Sequence, residues 1–335
     1  MGLIFLFLVF VGVSAGSSLI DARDASRAAA DSTRNAYASA FEGDFSAAGV
    51  DLDEAASHIA SAHGSLDTTW TRIAVRIPLL GTEIRAGRLA LEAAGHLSFA
   101  GRDLVDFLEA DRPDVLTNRH LDPTALDMLE GALLNAQSST GRARALLGEV
   151  PDSRVAEIEE NVALLNDLSK RLHDGLGGTV GLVERVQASG SDAFRTLILF
   201  ENGAEQRGTG GFMGFFAELT VDDGFVDLGG VGPISDLRSV DDSGGLTDVA
   251  APDDYLVRYD GYLANTALWS NVNLSPHFPS VGQVAGALFK EATGETADLV
   301  VRLDLTGASL LSGAMSPELT SRLPFDPENL ATEVV

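Results

Sequence analysis

The rhythm of the sequence changes near Gly190, and that change limits what the chain can fold into. Before it, roughly 170 residues place Ala and Leu at steps of three and four among charged residues; after it, Gly, Phe, Val and Asp dominate with strand-like alternation. Steps of three and four mark one face of a helix and alternation marks one face of a strand, so a helical part followed by a sheet-containing part is expected. The pivot is the run from Phe194 to Gly232. In FRTLILF, Phe194, Thr196, Ile198 and Phe200 alternate with Arg195, Leu197 and Leu199. Apolar residues on both sides of the pleat predict a strand over 194–200 with neighbours on both faces. Glu201, Asn202, Glu205 and Arg207 then crowd into seven residues, followed by Gly208, Gly210, Gly211 and Gly214. Polar groups gathered at the end of a buried strand, among glycines that permit tight turns, mark a candidate site.

The glycine run does not read as a dinucleotide fingerprint, which must open a helix. Instead Phe216, Glu218 and Thr220 alternate with Ala217, Leu219 and Val221 into Asp222-Asp223-Gly224, and Phe225, Val226 and Leu228 lead back. That is a hairpin. No P-loop occurs, and no GxSxG elbow follows a strand, which removes the usual esterase and nucleotide-hydrolase readings.

The chain of 335 residues is longer than one typical domain, so two folded parts are expected. Its net charge of −26 argues against nucleic acid as a partner, because phosphate backbones require a basic surface. There is no cysteine, so neither a disulfide framework nor a thiolate metal site is possible.

The block LIFLFLVFVGVSAGSSLI, residues 3–20, carries no charge and approaches the length of a membrane-crossing helix. The expectation is an N-terminal anchor over residues 1–20, with a cleaved signal peptide as the alternative because Val13-Ser14-Ala15 fits a small-x-small cleavage pattern. With the anchor, the expected location is the cell membrane, crossed once, with the bulk of the chain outside the cytoplasm. Residues 21–190 read as an elongated stalk of about five helices: 21–41, one opened by the capping box Asp51-x-x-Glu54, about Thr82 to Glu109, and two marked by Leu126–Leu147 and Val155–Leu176. Pro78 and Gly81 are expected to break the pattern. Histidines here show no metal-ligand spacing, and a spacer or partner-binding role fits better than a small-ligand sensor.

Residues 191–335 predict a mixed α/β head: the strand and hairpin, a long Asp/Gly/Pro-rich loop through Tyr259, a helix from Val281 to Ala292, a strand within 297–305, and a last helix over 305–317. Only seven Lys or Arg follow residue 190. In that acidic setting Arg207 is placed to grip an anion through its planar fork, with Gly208, Gly210 and Gly211 letting backbone N–H groups approach the same oxygens. The competing role is a salt bridge to Glu201 or Glu205. A carboxylate there either orients the arginine or holds a divalent cation. Asn202 belongs to the same cluster, and Asn271 and Asn273 either add donors or cap the loop before Pro276. The pairs Asp241-Asp242 and Asp253-Asp254 read as solvated turns.

The runs ENGAEQRGTGGF, WSNVNLSPHFPS and TGETADLVVRLDLTGASLL resemble the bacterial domain-of-unknown-function family 4012, whose usual forms are close to ENxxExRxTGGF and NxNxSPDFP. His277 stands where that family usually has Asp. The order of an arginine-bearing strand end, an Asn-bearing loop, a helix and a strand is also distantly similar to the LytR-CpsA-Psr family. That resemblance implies transfer of glycopolymers from polyprenyl pyrophosphate carriers to the cell wall, with Arg207 stabilising charge on phosphate and Glu201 or Glu205 holding Mg²⁺. A non-catalytic envelope protein that recognises a glycan, lipid or protein partner is the alternative. By the same resemblance the head reads as incomplete at its C-terminus, where further arginines are expected.

Overall fold

The computed structural model describes residues 2–41, 44–110, 114–188, 193–240 and 244–304, with side chains from residue 18 onward except those of residues 37, 41, 78, 79 and 204. The chain divides into two compact units, one of Met1–Asp114 and Pro123–Glu184, the other of Val115–Asp122 and Arg185–Val335.

The first unit is helical: α1 (Gly2–Phe41), α2 (Phe45–Leu66), α3 (Thr69–Ala74), α4 (Pro78–Glu109), α5 (Pro123–Gly148) and α6 (Ala156–Ala188). The second helix starts earlier than the capping box at Asp51 suggests, because Asp44 caps it instead, its side chain accepting from the Ala47 N–H at 2.9 Å. Pro78 begins a helix rather than ending one, since a first-turn residue has no intrahelical N–H bond to lose. Small side chains let the helices pack closely: Ala22, Ala62, Leu66 and Leu91 form one buried cluster, and Ala100, Leu133, Ala136, Leu176, Val180 and Val183 another. Among the described residues no helix is long and apolar enough to cross a membrane. The apolar block expected to be an anchor has its side chains up to residue 17 outside that description.

The second unit is built on one six-stranded sheet, ordered β1-β2-β5-β4-β3-β6, from β1 (Leu116–Thr117), β2 (His120–Leu121), β3 (Phe194–Arg207), β4 (Gly210–Asp222), β5 (Phe225–Pro233) and β6 (Leu299–Leu303). The strand expected over 194–200 runs on to Arg207, so the polar cluster forms the outer part of a hairpin rather than a loop. It is interior as expected, antiparallel to β4 and parallel to β6. The β4–β5 turn puts Asp223 and Gly224 at positive φ (47° and 74°), the geometry that an Asp-Gly pair favours.

Leu197, Leu199, Met213 and Phe216 on one sheet face pack with Val281, Val284, Ala285, Leu288 and Phe289 of α8 (Phe278–Thr293) and with Tyr255, Trp269 and Val272. Burying each large apolar side chain contributes about 1.5–3 kcal/mol. Tyr255 lies on α7 (Asp253–Tyr259), a helix where a loop was expected; Asp253 and Asp254 occupy its first turn, where negative charge faces the positive end of the helix dipole. The predicted turn at Asp241-Asp242 and the predicted helix over 305–317 lie outside the described residues.

The hairpin β1–β2 falls within the segment that sequence periodicity assigns to the helical part, yet it belongs to the head sheet. It closes on Asn118 and Arg119, both left-handed (φ 49° and 65°), and docks on β5 through Leu121 N to Gly224 O (2.8 Å) and Val226 N to Arg119 O (2.7 Å). The Arg119 side chain donates to the Val226 carbonyl at 3.1 Å, pairs with Asp227 and lies 4.5 Å over the Phe225 ring.

Candidate functional site

The pleat of β3 carries Leu197 and Leu199 into the α8-side core, and Glu201, next in that alternation, follows them inward. A carboxylate that is 1 % exposed must be compensated. The Thr209 hydroxyl donates to Oε1 at 2.9 Å, Asn273 Nδ2 to Oε1 at 3.3 Å, the Gly211 N–H to Oε2 at 3.4 Å and Arg302 Nη1 to Oε2 at 3.1 Å. These donors come from the β3–β4 turn, β4, the 3-10 turn Trp269–Leu274 and β6. Glu201 therefore joins four segments of the head at one buried charge.

The glycines act in the same junction. A Cβ on Gly208 would lie 2.2 Å from the Leu274 carbonyl oxygen, and one on Gly211 2.2 Å from that of Asn202, so both allow backbone to lie on backbone. Gly210 has φ +147°, and a Cβ there would stand 2.8 Å from Glu201 Oε2 and 3.0 Å from Arg302 Nη1.

Asn273 is fully buried; besides Glu201 its Nδ2 donates to the Gly211 carbonyl at 2.6 Å, while its Oδ1 has no partner. Its turn is pinned by Trp269 Nε1 to the Leu237 carbonyl at 3.1 Å and by the Tyr255 hydroxyl, 2.7 Å from the Val272 carbonyl. Burial pushes the Tyr255 phenol far above its usual range, so it stays protonated. Asn271 is not brought to this junction: its Nδ2 donates to the Tyr262 carbonyl at 2.7 Å. Asn202 sits in β3 opposite Phe212 of β4. His277 precedes α8 without giving it a side-chain cap, its Nδ1 2.9 Å from the Ser280 hydroxyl; an Asp there would offer an acceptor to the helix N-terminus.

Arg207 ends β3 opposite Gly210. Its Nη2 lies 3.4 Å from Glu205 Oε2, its guanidinium carbon 5.8 Å from the Phe212 ring centroid, and its Nε is buried with no partner. Glu205 is 63 % exposed and stands apart from the Glu201 junction. Arg302, which sequence reasoning passed over as one more residue of a strand, supplies the counter-charge to Glu201 and lies 5.7 Å from the Phe278 ring centroid.

Residues 192–329 match the family model described as "Protein of unknown function (DUF4012)". The head belongs to the DUF4012 family. No curated protein and no solved structure matches the chain. The runs that carry the resemblance, ENGAEQRGTGGF and WSNVNLSP, are the two segments whose Glu201, Gly208, Gly211 and Asn273 interlock in this DUF4012 head.

A magnesium ion held by Glu201 does not fit this arrangement. Both carboxylate oxygens already accept from protein donors, and Glu205 is turned to Arg207. Among the described residues no group of three or more His, Asp or Glu side chains is placed to hold a metal. What the arrangement offers chemically is a guanidinium with unused donors at the tip of a glycine-bounded hairpin.

Proposed function

We propose that this chain is an envelope protein, held at the membrane by its apolar N-terminal block with the bulk outside the cytoplasm, and that its DUF4012 head binds a phosphate-bearing ligand at the β3–β4 hairpin tip. The observation that carries the reading is Arg207: a buried Nε without a partner and one long contact to an exposed carboxylate. Guanidinium donors left unused match the bidentate geometry of phosphate oxygens. The distant likeness to LytR-CpsA-Psr proteins puts polyprenyl-pyrophosphate-linked glycan first among ligands of that chemistry, with the cell wall as the destination of the glycan.

The occupied state of Glu201 favours recognition over magnesium-assisted transfer. In this reading Glu201 holds the site together and Arg207 contacts the ligand. The test is calorimetric titration of the full chain with a short-chain polyprenyl pyrophosphate. Arg207→Lys keeps the charge and loses the fork, so binding weakens by about 1–3 kcal/mol. Equal affinity of wild type and variant would remove the assignment. Release of the carrier from a glycan-linked substrate would restore the transferase reading.

A further inference from the structure

Arg207 and Glu205 are two residues apart but are held differently by the sheet. Pairing of β3 with β4 runs through Asn202↔Phe212, skips, and resumes at Gln206↔Gly211 and Arg207↔Gly210. Residues 203–205 thus have no partner on β4, whereas Arg207 is back in register. The arginine is further fixed by the Phe212 ring beside it, and the neighbouring Gly208 lies against Leu274 and Ser275. Glu205 sits on the bulge with its side chain 63 % exposed, against 28 % for Arg207. Their contact of 3.4 Å is long beside the roughly 2.7–2.9 Å of a strong charge-assisted bond.

We infer that Glu205 is an internal competitor for the anion that Arg207 binds: a carboxylate on the unpaired bulge that covers the guanidinium in the free protein and is displaced when the ligand arrives. The inference rests on the anion-binding reading of Arg207 and departs from the expected role of Glu205 as a metal-holding group. Displacement moves the bulge and leaves the β3–β4 ladder intact, because of the two residues only the glutamate lacks a partner on β4. A ligand oxygen then satisfies the Nε donor that Glu205 leaves unpartnered. The competitor also sets a threshold. A single carboxylate gains little by replacing another, so the site selects anions with several oxygens and more than one charge, such as a pyrophosphate, over monoanions.

The test uses the full chain and inorganic pyrophosphate, titrated into wild type, Glu205→Gln, Glu205→Ala, Arg207→Ala and the double variant Glu205→Gln/Arg207→Ala at fixed ionic strength. Glu205→Gln and Glu205→Ala are expected to bind about 2- to 5-fold tighter than wild type, the range that corresponds to releasing an exposed ion pair. That gain should vanish on the Arg207→Ala background, whereas general repulsion by a nearby charge would persist there. If wild type binds and both Glu205 variants bind equally or more weakly, the competitor is overturned while the anion site stands. If neither wild type nor the Glu205 variants bind, the anion-binding reading itself falls, and the inference with it.

Discussion

Arg302 on β6 reaches Glu201 on β3 with an Nη1–Oε2 separation of 3.1 Å, joining an arginine side chain that is 40 % exposed to a carboxylate that is 1 % exposed. The burden of desolvation falls on the glutamate, so the two partners are not equivalent in a mutational test. Glu201→Ala strands Thr209, Gly211 and Arg302 around an empty position and is expected to cost about 3–5 kcal/mol. Glu201→Gln keeps the shape and one acceptor and should cost about 1–3 kcal/mol. Urea unfolding followed by tryptophan fluorescence measures both. Unchanged stability in Glu201→Ala would show that the junction does not hold the head together.

Gly208→Ala drives a methyl into the Leu274 carbonyl, whereas Gly214→Ala meets nothing within 4 Å. The first is expected to lose about 1–3 kcal/mol through backbone displacement, and the second to stay within about 0.5 kcal/mol of wild type. Thermal melts of the two variants side by side decide the matter; equal losses would mean that the hairpin tip and the 269–274 turn are not in contact.

Local pattern made the hairpin β4–β5, helix α8 and the strand from Phe194 legible, because alternation, the Asp-Asp-Gly turn and a helical apolar face are each set by neighbours in sequence. Hairpin β1–β2 was not legible: its strands have two residues each, too short for a period, and Arg119 stands where a left-handed turn usually takes Gly. The candidate site was half legible. Crowding of polar residues at the end of β3 located it, but nothing near Glu201 signals that its counter-charge lies 101 residues away on β6. The same crowding made Glu201 look like a reactive group, when its direction along the pleat takes it into the core.

Tyr255 holds its proton more tightly in the fold, first because it is buried and then because of Tyr259. Such a group contributes stability fully below the unfolded tyrosine value of about 10, and the contribution is lost as pH rises toward the folded value. At about pH 8, Tyr255→Phe should cost about 1–2 kcal/mol, since its hydroxyl faces the Ala264 and Val272 carbonyls. Above about pH 10 the wild type should lose stability and the difference between the proteins should narrow. Urea midpoints for both proteins at the two pH values test the sign.

In the helical unit, Glu157 on α6 pairs with Arg23 (2.9 Å) and Arg27 (3.1 Å) of α1. The hydrogen bond from Arg23 leads in holding its carboxyl below the usual glutamate range. A depressed carboxylate contributes stability above the unfolded value of about 4.3, lost as pH falls through the folded one. Wild type and Glu157→Gln should therefore differ slightly in melting temperature at neutral pH and low salt, and converge in acid or in high salt. A difference that persists in acid would rule out the ion pair as its source.

Hairpin β1–β2 leaves the ribosome about a hundred residues before β5, the strand it docks on. At roughly 5–20 residues per second, that is a delay of several seconds or more, during which an isolated two-stranded ribbon is only marginally stable. Residues 115–122 must stay uncommitted while α5 and α6 are synthesised, and join the sheet only after Phe225 has emerged. Cutting the chain at Glu184 would therefore yield a C-terminal fragment lacking its outermost strands, with the paired edge of β5 open to another copy of itself. The head can be transplanted or inherited intact only together with eight residues encoded far upstream of it.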